Sequence, residues 1–269
     1  PAFTALGYAF ATTSYSTNGL AVQEGIVDLV ELVDIFAQQF DQPSRVYLVG
    51  VSEGGLITAL CLQEHADVFD GGLAVCGPYG GFGAETDYIC DFRVLFDYFF
   101  PGLIPGSPVD VPQSLLDDYE GHYTRVVQPV LRDPANADKV AQLLAVSGAA
   151  YDPDDPATRE ETIEQLLWFA VVGANDARSK LGGQPYDNQG RAYSGSQNDV
   201  TLNVQVQRFS GDASAREALP LCYQPSGHLG GPIVTLHTTG DPVVPYWHVQ
   251  RYYGRIIAAD SISGYRHIR

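Results

Sequence analysis

Methionine is absent from this chain, and lysine occurs only twice, at Lys139 and Lys180. The first residue is Pro1, so the sequence is expected to be a processed or partial product rather than a primary translation product. It lacks a charged stretch followed by an apolar one at its start, so any secretion signal is expected to be gone already or never to have been included. Localisation stays open, with secreted or periplasmic ahead of cytoplasmic. Positive charge is scarce: 15 Lys and Arg face 32 Asp and Glu, a formal net charge of −17. Such a surface repels phosphate backbones, which argues against a nucleic-acid partner. No apolar run approaches the roughly 18 residues that a membrane span needs. Cysteine is sparse at four residues, enough for at most two disulfides in three pairings. Cys61, in a helical pattern, and Cys76, at a strand end, are expected as buried thiols, whereas Cys90 and Cys222 are the pair expected to bridge in an oxidising compartment.

What the chain does have is concentrated in R-V-Y-L-V-G-V-S-E-G-G-L, Arg45 to Leu56. An apolar strand pattern, Val46 to Val51, runs into G-x-S-x-G and then into a helical pattern, Gly54 to His65, the context that makes this pattern a nucleophile elbow. The tight turn is expected to need glycine on both flanks, Gly50 and Gly54, and to lift Ser52 above the sheet edge. The backbone N–H of Glu53, at the helix start, is the expected oxyanion donor. Gly55 is expected to let helix and strand approach closely.

Around this elbow the pattern alternates. Gly7 to Ser14 is small, aromatic and β-branched and reads as a buried strand. Apolar residues at Ile26, Leu29, Val30, Val33, Phe36 and Ala37 have helical spacing with acids between them, predicting an amphipathic helix over 24–40 that packs on a sheet. A further strand is expected at Gly72 to Cys76, and the β-α-β-α-β order implies a parallel sheet with right-handed crossovers. From Gly77 the rhythm breaks into Pro- and Gly-rich turns, amphipathic helices at Asp138 to Val146 and Arg159 to Val172, and a polar loop, Gly182 to Asn198. Sheet rhythm returns at Pro232 to His237, followed by a helix, Tyr246 to Ala258, and a last strand, Gly264 to Ile268. The fold class is therefore α/β: a mainly parallel sheet flanked by helices, formed by residues 1–80 and 231–269, with a large, mostly helical lid at 81–230.

A serine that attacks a carbonyl needs a base and an acid that orients the base. Asp241, in L-H-T-T-G-D-P-V-V-P-Y just past an expected strand, lies at the carboxyl edge where such sheets place their chemistry, and the alternative is that it only makes a turn with Pro242. With strand, G-x-S-x-G, helix, insertion and T-T-G-D-P-V-V-P in this order, the chain resembles the α/β-hydrolase fold. Within that fold it is similar to esterases and lipases and to prolyl-oligopeptidase-like serine hydrolases, over Gly7 to Cys76 and Ile233 to His267. The resemblance implies Ser52 as nucleophile, Asp241 as acid and then a histidine. The family's earlier strands, one of whose loops gives the second oxyanion donor, are missing before Gly7. Its histidine follows the last strand, so that residue is expected beyond Arg269, with His267 a secondary candidate inside the strand itself. His65, His122 and His228 precede the acid, His237 lies within a strand, and His248 sits on the following helix.

Three other groups carry less. Asp152, Asp154 and Asp155 read as a solvated helix start ahead of a Ca²⁺ site, and no metal is assigned. Phe92, Phe96, Tyr98, Phe99 and Phe100 form either a pocket wall for an acyl or aryl group or the core of the lid. Tyr186, Tyr193 and Asn188 are candidates for facing the cleft. The expected activity is hydrolysis of a carboxylic ester with an apolar or aromatic acid, through an acyl-enzyme on Ser52 and with no cofactor. A prolyl-oligopeptidase-like peptidase and a non-catalytic hydrolase-fold binding protein are the alternatives. Edge backbone groups of so short a sheet are expected to be completed by further polypeptide.

Overall fold

In the computed structural model, which describes residues 2–269 and the side chains from Phe3 onward, the chain forms two compact units. One comprises the chain through Tyr79, Pro225–His237 and Val249–Arg269, and the other comprises Gly80–Gln224 and Thr238–His248.

The first unit is built on four parallel strands in sequence order: β1 Tyr47–Val51, β2 Gly71–Val75, β3 Ile233–Leu236 and β4 Tyr265–Ile268. Val51 pairs with Val75, Val75 with Leu236 and Leu236 with Ile268, so the strands end in one row. The helix Glu53–Glu64 packs on β1 and β2 and is apolar all round, with Leu56, Ile57, Leu60, Cys61 and Leu62 buried, as a helix enclosed on every side must be. Burial pushes the Cys61 thiol up to about 12.

The helix Val22–Gln39 is amphipathic as expected, but it packs chiefly on the helix Glu53–Glu64 rather than on the sheet. Its Gly25 comes so close that a Cβ would lie 2.8 Å from Ile57 Cδ1. The strand expected over Gly7 to Ser14 does not form: the backbone there has no regular structure, and nearly every side chain is exposed. Composition suited a strand, but strands are stabilised by cross-strand pairing, and among the described residues this segment pairs with no strand, though the Tyr8 ring meets Tyr47 of β1 edge-on. β1 is accordingly an edge strand, with Tyr47, Val49 and Val51 exposed.

The second unit contains no named strand among the described residues. The helices Phe82–Phe99, Ala137–Ser147 and Ala157–Trp168 close on a core that includes Phe92, Leu95, Phe96, Leu144, Ile163 and Leu166. The helix expected to run to Val172 changes to a π-wound turn at Phe169–Gly173 before continuing as Ala174–Lys180. No disulfide joins Cys90 to Cys222, a correction to the expected bridge, and Cys90 is a buried thiol raised chiefly by burial. Among the described residues no helix is long and apolar enough to cross a membrane.

Candidate active site

Ser52 follows the last residue of β1 and precedes the first of the helix Glu53–Glu64. Its backbone sits at φ 55° and ψ −122°, a conformation that costs a residue with a side chain roughly 1–3 kcal/mol and that the surroundings must enforce. They do so from both sides. Ser52 N–H donates to Val75 O at 2.8 Å, extending the β1–β2 ladder through the turn, while Ser52 O accepts from Gly55 N–H at 2.8 Å as the helix begins. The serine is thus exposed at the head of a helix, where the helix dipole favours negative charge.

The two flanking glycines are not equivalent. A Cβ on Gly50 would lie 1.9 Å from Gly54 O and 2.6 Å from Thr58 Oγ1, so glycine is obligatory there. At Gly54 nothing lies within 4 Å, which corrects the expectation that both positions exclude a side chain. Gly55 behaves as expected: its Cβ would stand 3.0 Å from Val75 O and 3.2 Å from Gly77 Cα, so helix and strand approach as closely as glycine allows. Glu53 begins the helix, and its carboxylate turns away along the chain to accept the N–H of Ala21 at 2.6 Å, the residue that opens the helix Val22–Gln39.

The strand ends set Cys76 and His237 in the same row as Ser52, continuing the ladder with Cys76 N–H to Leu236 O at 2.8 Å and His237 N–H to Ile268 O at 3.2 Å. Cys76 is half-exposed, not buried as expected, and shares with Ser52 a positive φ, 45°. Behind this row the ring of Tyr79 meets that of buried His237 edge-on at 6.0 Å, and its hydroxyl donates to Ala74 O.

Asp241 lies in Thr238–His248, a segment of the second unit. Its Oδ1 accepts from Val243 N–H at 3.0 Å and Val244 N–H at 2.9 Å, so it does shape the turn. Among the described residues Oδ2 accepts no hydrogen bond, which leaves one carboxylate oxygen for another donor.

The histidines sort by their partners. His248 is fully buried with both ring nitrogens engaged, by Gly80 N–H and by Glu85, which rules it out as a proton shuttle. His267 stands within β4, where its Nδ1 lies 2.9 Å from Thr235 Oγ1; burial, with the charges of His237 and Arg269, holds it below the ordinary imidazole value. His122 is bound to Leu103 O, and His228 is exposed.

In the second unit Phe92, Phe96, Phe99 and Phe100 belong to the helical core. Tyr98 and Phe99 also edge an open cleft of about 650 Å³ whose other walls include Lys139, Gln142, Gln197 and Asn198. Tyr186, Tyr193 and Asn188 are buried rather than directed into a cleft: both hydroxyls donate to Asp91, at 2.8 and 2.6 Å, and Asn188 Nδ2 donates to Tyr193 Oη. Arg191 pairs with Asp91 and with Asp87. This network, invisible in sequence because its members lie about a hundred residues apart, fastens the polar loop to the helix Phe82–Phe99. Asp152 and Asp155 accept backbone N–H groups of Asp154 and Ala157, the bonding of a helix start.

A parallel sheet flanked by helices, a serine strained between strand and helix, and a helical insertion between β2 and β3 together define the α/β-hydrolase fold. Residues 4–87, which carry the elbow, match the prolyl oligopeptidase family. Among solved structures, the chain is similar to the acylaminoacyl peptidase of Pyrococcus horikoshii at 12% identity and a TM-score of 0.38, over 91% of this chain and 22% of that one. It is similar to feruloyl esterase B of Aspergillus oryzae at 16% identity and a TM-score of 0.40, over 92% and 55%. An esterase of Aspergillus oryzae follows at 16% identity and a TM-score of 0.35, over 93% and 55%. The chain therefore spans between about a fifth and just over half of the lengths of these proteins. No curated protein matches it.

Proposed function

We propose that this chain is the nucleophile-bearing part of a serine hydrolase that cleaves carboxylic esters. The observation that carries the reading is the backbone of Ser52, held at a positive φ by Val75 O on one side and the helix start on the other, with a neighbour, Gly50, that tolerates no side chain. Strain of this kind persists where a function uses it. Ser52 Oγ attacks the ester carbonyl as a histidine accepts its proton. Asp241, through its uncommitted Oδ2, orients that histidine, and the Glu53 N–H at the head of the helix stabilises the oxyanion. The alcohol leaves with the proton the histidine returns, and water then releases the acid from Ser52.

The match of residues 4–87 to the prolyl oligopeptidase family favours a second reading, cleavage of a peptide bond by the same serine. A direct comparison separates the two. Initial rates of the full-length protein are measured on a short-chain p-nitrophenyl ester and on a peptide p-nitroanilide, with Ser52→Ala as control and the fluorophosphonate adduct mapped by mass. Ester turnover that falls on the order of 10⁴-fold in S52A, with the adduct on Ser52, supports the esterase. Preferred anilide cleavage moves the assignment to a peptidase. Neither activity and no adduct leaves a hydrolase-fold binding protein.

A further inference from the structure

Within the second unit, Glu85 and His248 are almost completely enclosed, 4% and 0% exposed, and their Oε2 and Nε2 atoms are 2.6 Å apart. Gly80 N–H, which can only donate, points at His248 Nδ1 from 3.0 Å. Nδ1 is therefore the acceptor, and the ring proton resides on Nε2, where it is given to Glu85. Only a neutral imidazole satisfies both bonds. A Cβ at Gly80 would come 2.6 Å from Nδ1, so a glycine is what brings the amide this close. The indole of Trp247 stacks on the imidazole with centroids 3.9 Å apart.

One turn further along the helix Phe82–Phe99, Tyr88 donates to the carbonyl of Pro242 at 2.7 Å, and its ring meets Trp247 edge-on. Pro242 adjoins Asp241, and His248 closes the same segment. The helix thus grips the Asp241 turn at its beginning and at its end, through side chains one helical turn apart.

We propose that Glu85, His248 and Tyr88 form a clamp that fixes the Asp241 turn in its working shape, so that Glu85 and His248 are positioning residues of the hydrolytic reaction; this rests on the reading of Asp241 as its acid. Electrostatics agrees with the assignment. Burial, and after it the charge of Asp241, lifts the Glu85 carboxyl well above its ordinary range.

Hydrogen exchange of the Val243 and Val244 amides, which Asp241 Oδ1 binds, reads the clamp without reference to activity. Glu85→Ala is expected to speed exchange at both amides roughly 10- to 100-fold, and to lower kcat on the aryl ester by a similar factor with KM within about twofold. Glu85→Gln keeps an oxygen for the His248 Nε2–H and is expected to recover most of both losses. Tyr88→Phe removes only the Pro242 bond and should give a smaller increase in exchange, which serves if E85A does not fold. Unchanged protection of Val243 and Val244 in E85A and Y88F overturns the clamp. A rise in KM with kcat intact, or E85Q no better than E85A, overturns the positioning role. If the unmutated full-length protein hydrolyses no ester, the esterase reading fails separately, and the exchange data still decide whether the clamp exists.

Discussion

Replacing each glycine of the G-x-S-x-G turn by alanine should have opposite effects, and the contacts set the size of the difference. At Gly50 the new methyl would lie 1.9 Å from Gly54 O and 2.3 Å from Gly54 C, far inside any real contact, and the obstacle is backbone rather than the end of a flexible side chain. Relief requires displacing the first turn of the helix, which also breaks the 2.8 Å bond from Thr58 Oγ1 to Gly54 O. Overpacking of this kind costs about 1–3 kcal/mol and the lost hydrogen bond about 1 kcal/mol, so G50A is expected to destabilise by roughly 3 kcal/mol. At Gly54 the methyl meets nothing within 4 Å and the residue is already helical, where alanine is favoured over glycine by up to about 1 kcal/mol. In urea melts followed by circular dichroism, G54A should hold or raise the midpoint while G50A lowers it with the slope unchanged. At about 2–4 °C per kcal/mol, the two variants should melt some 6–16 °C apart. A G54A variant as unstable as G50A, or a G50A variant within about 1 kcal/mol of the parent, would refute this account of the elbow.

Two further predictions concern carboxylates of the second unit, buried Glu85 and half-buried Asp91. Because Glu85 is raised in the folded chain, the fold keeps that proton where the unfolded chain has lost it; its contribution is complete below the unfolded value near 4.5 and declines as pH rises towards the raised one. Stability of the parent relative to E85Q should therefore fall with pH above about 4.5 in chemical melts at a series of pH values, and a constant difference would count against it. Asp91 accepts from Tyr186, Tyr193 and Arg191, and Asp91→Leu leaves these donors without their acceptor, at a cost of about 3 kcal/mol. A midpoint unchanged in D91L would show that the network contributes little to the second unit.

Much of the sheet was legible because its signals are local. Strands 47–51, 71–75, 233–236 and 265–268, and the helices after the first and third of them, announce themselves by apolar runs and by a 3.6-residue period, and all lie close to where sequence reading puts them. The failures are of one physical kind. Gly7 to Ser14 has the composition of a strand but pairs with none, although its Tyr8 ring meets Tyr47 of the edge strand edge-on. Gly50 and Gly54 look alike in the motif and differ only in what stands 2 Å away. Cys90 is enclosed by the helical core instead of reaching Cys222, and Glu85 meets His248 across 163 residues that no periodicity connects. At the candidate site, the strained serine is readable from its motif, while the bonding of His248 and His267 depends on partners far away in sequence.

Leu48 is the one buried side chain of β1, between exposed Tyr47 and exposed Val49. In a strand that alternates faces, a slip of one residue against β2 would bring Leu48 out to solvent and turn a neighbour inward. It would also shift the end of β1 by about 3.3 Å along the strand axis, leaving Val51 or Glu53, according to the direction of the slip, rather than Ser52 beside the end of β2. A leucine with no chemistry of its own thus acts as a registration pin, and the accuracy with which the serine is placed is inherited from how firmly that one apolar side chain is seated.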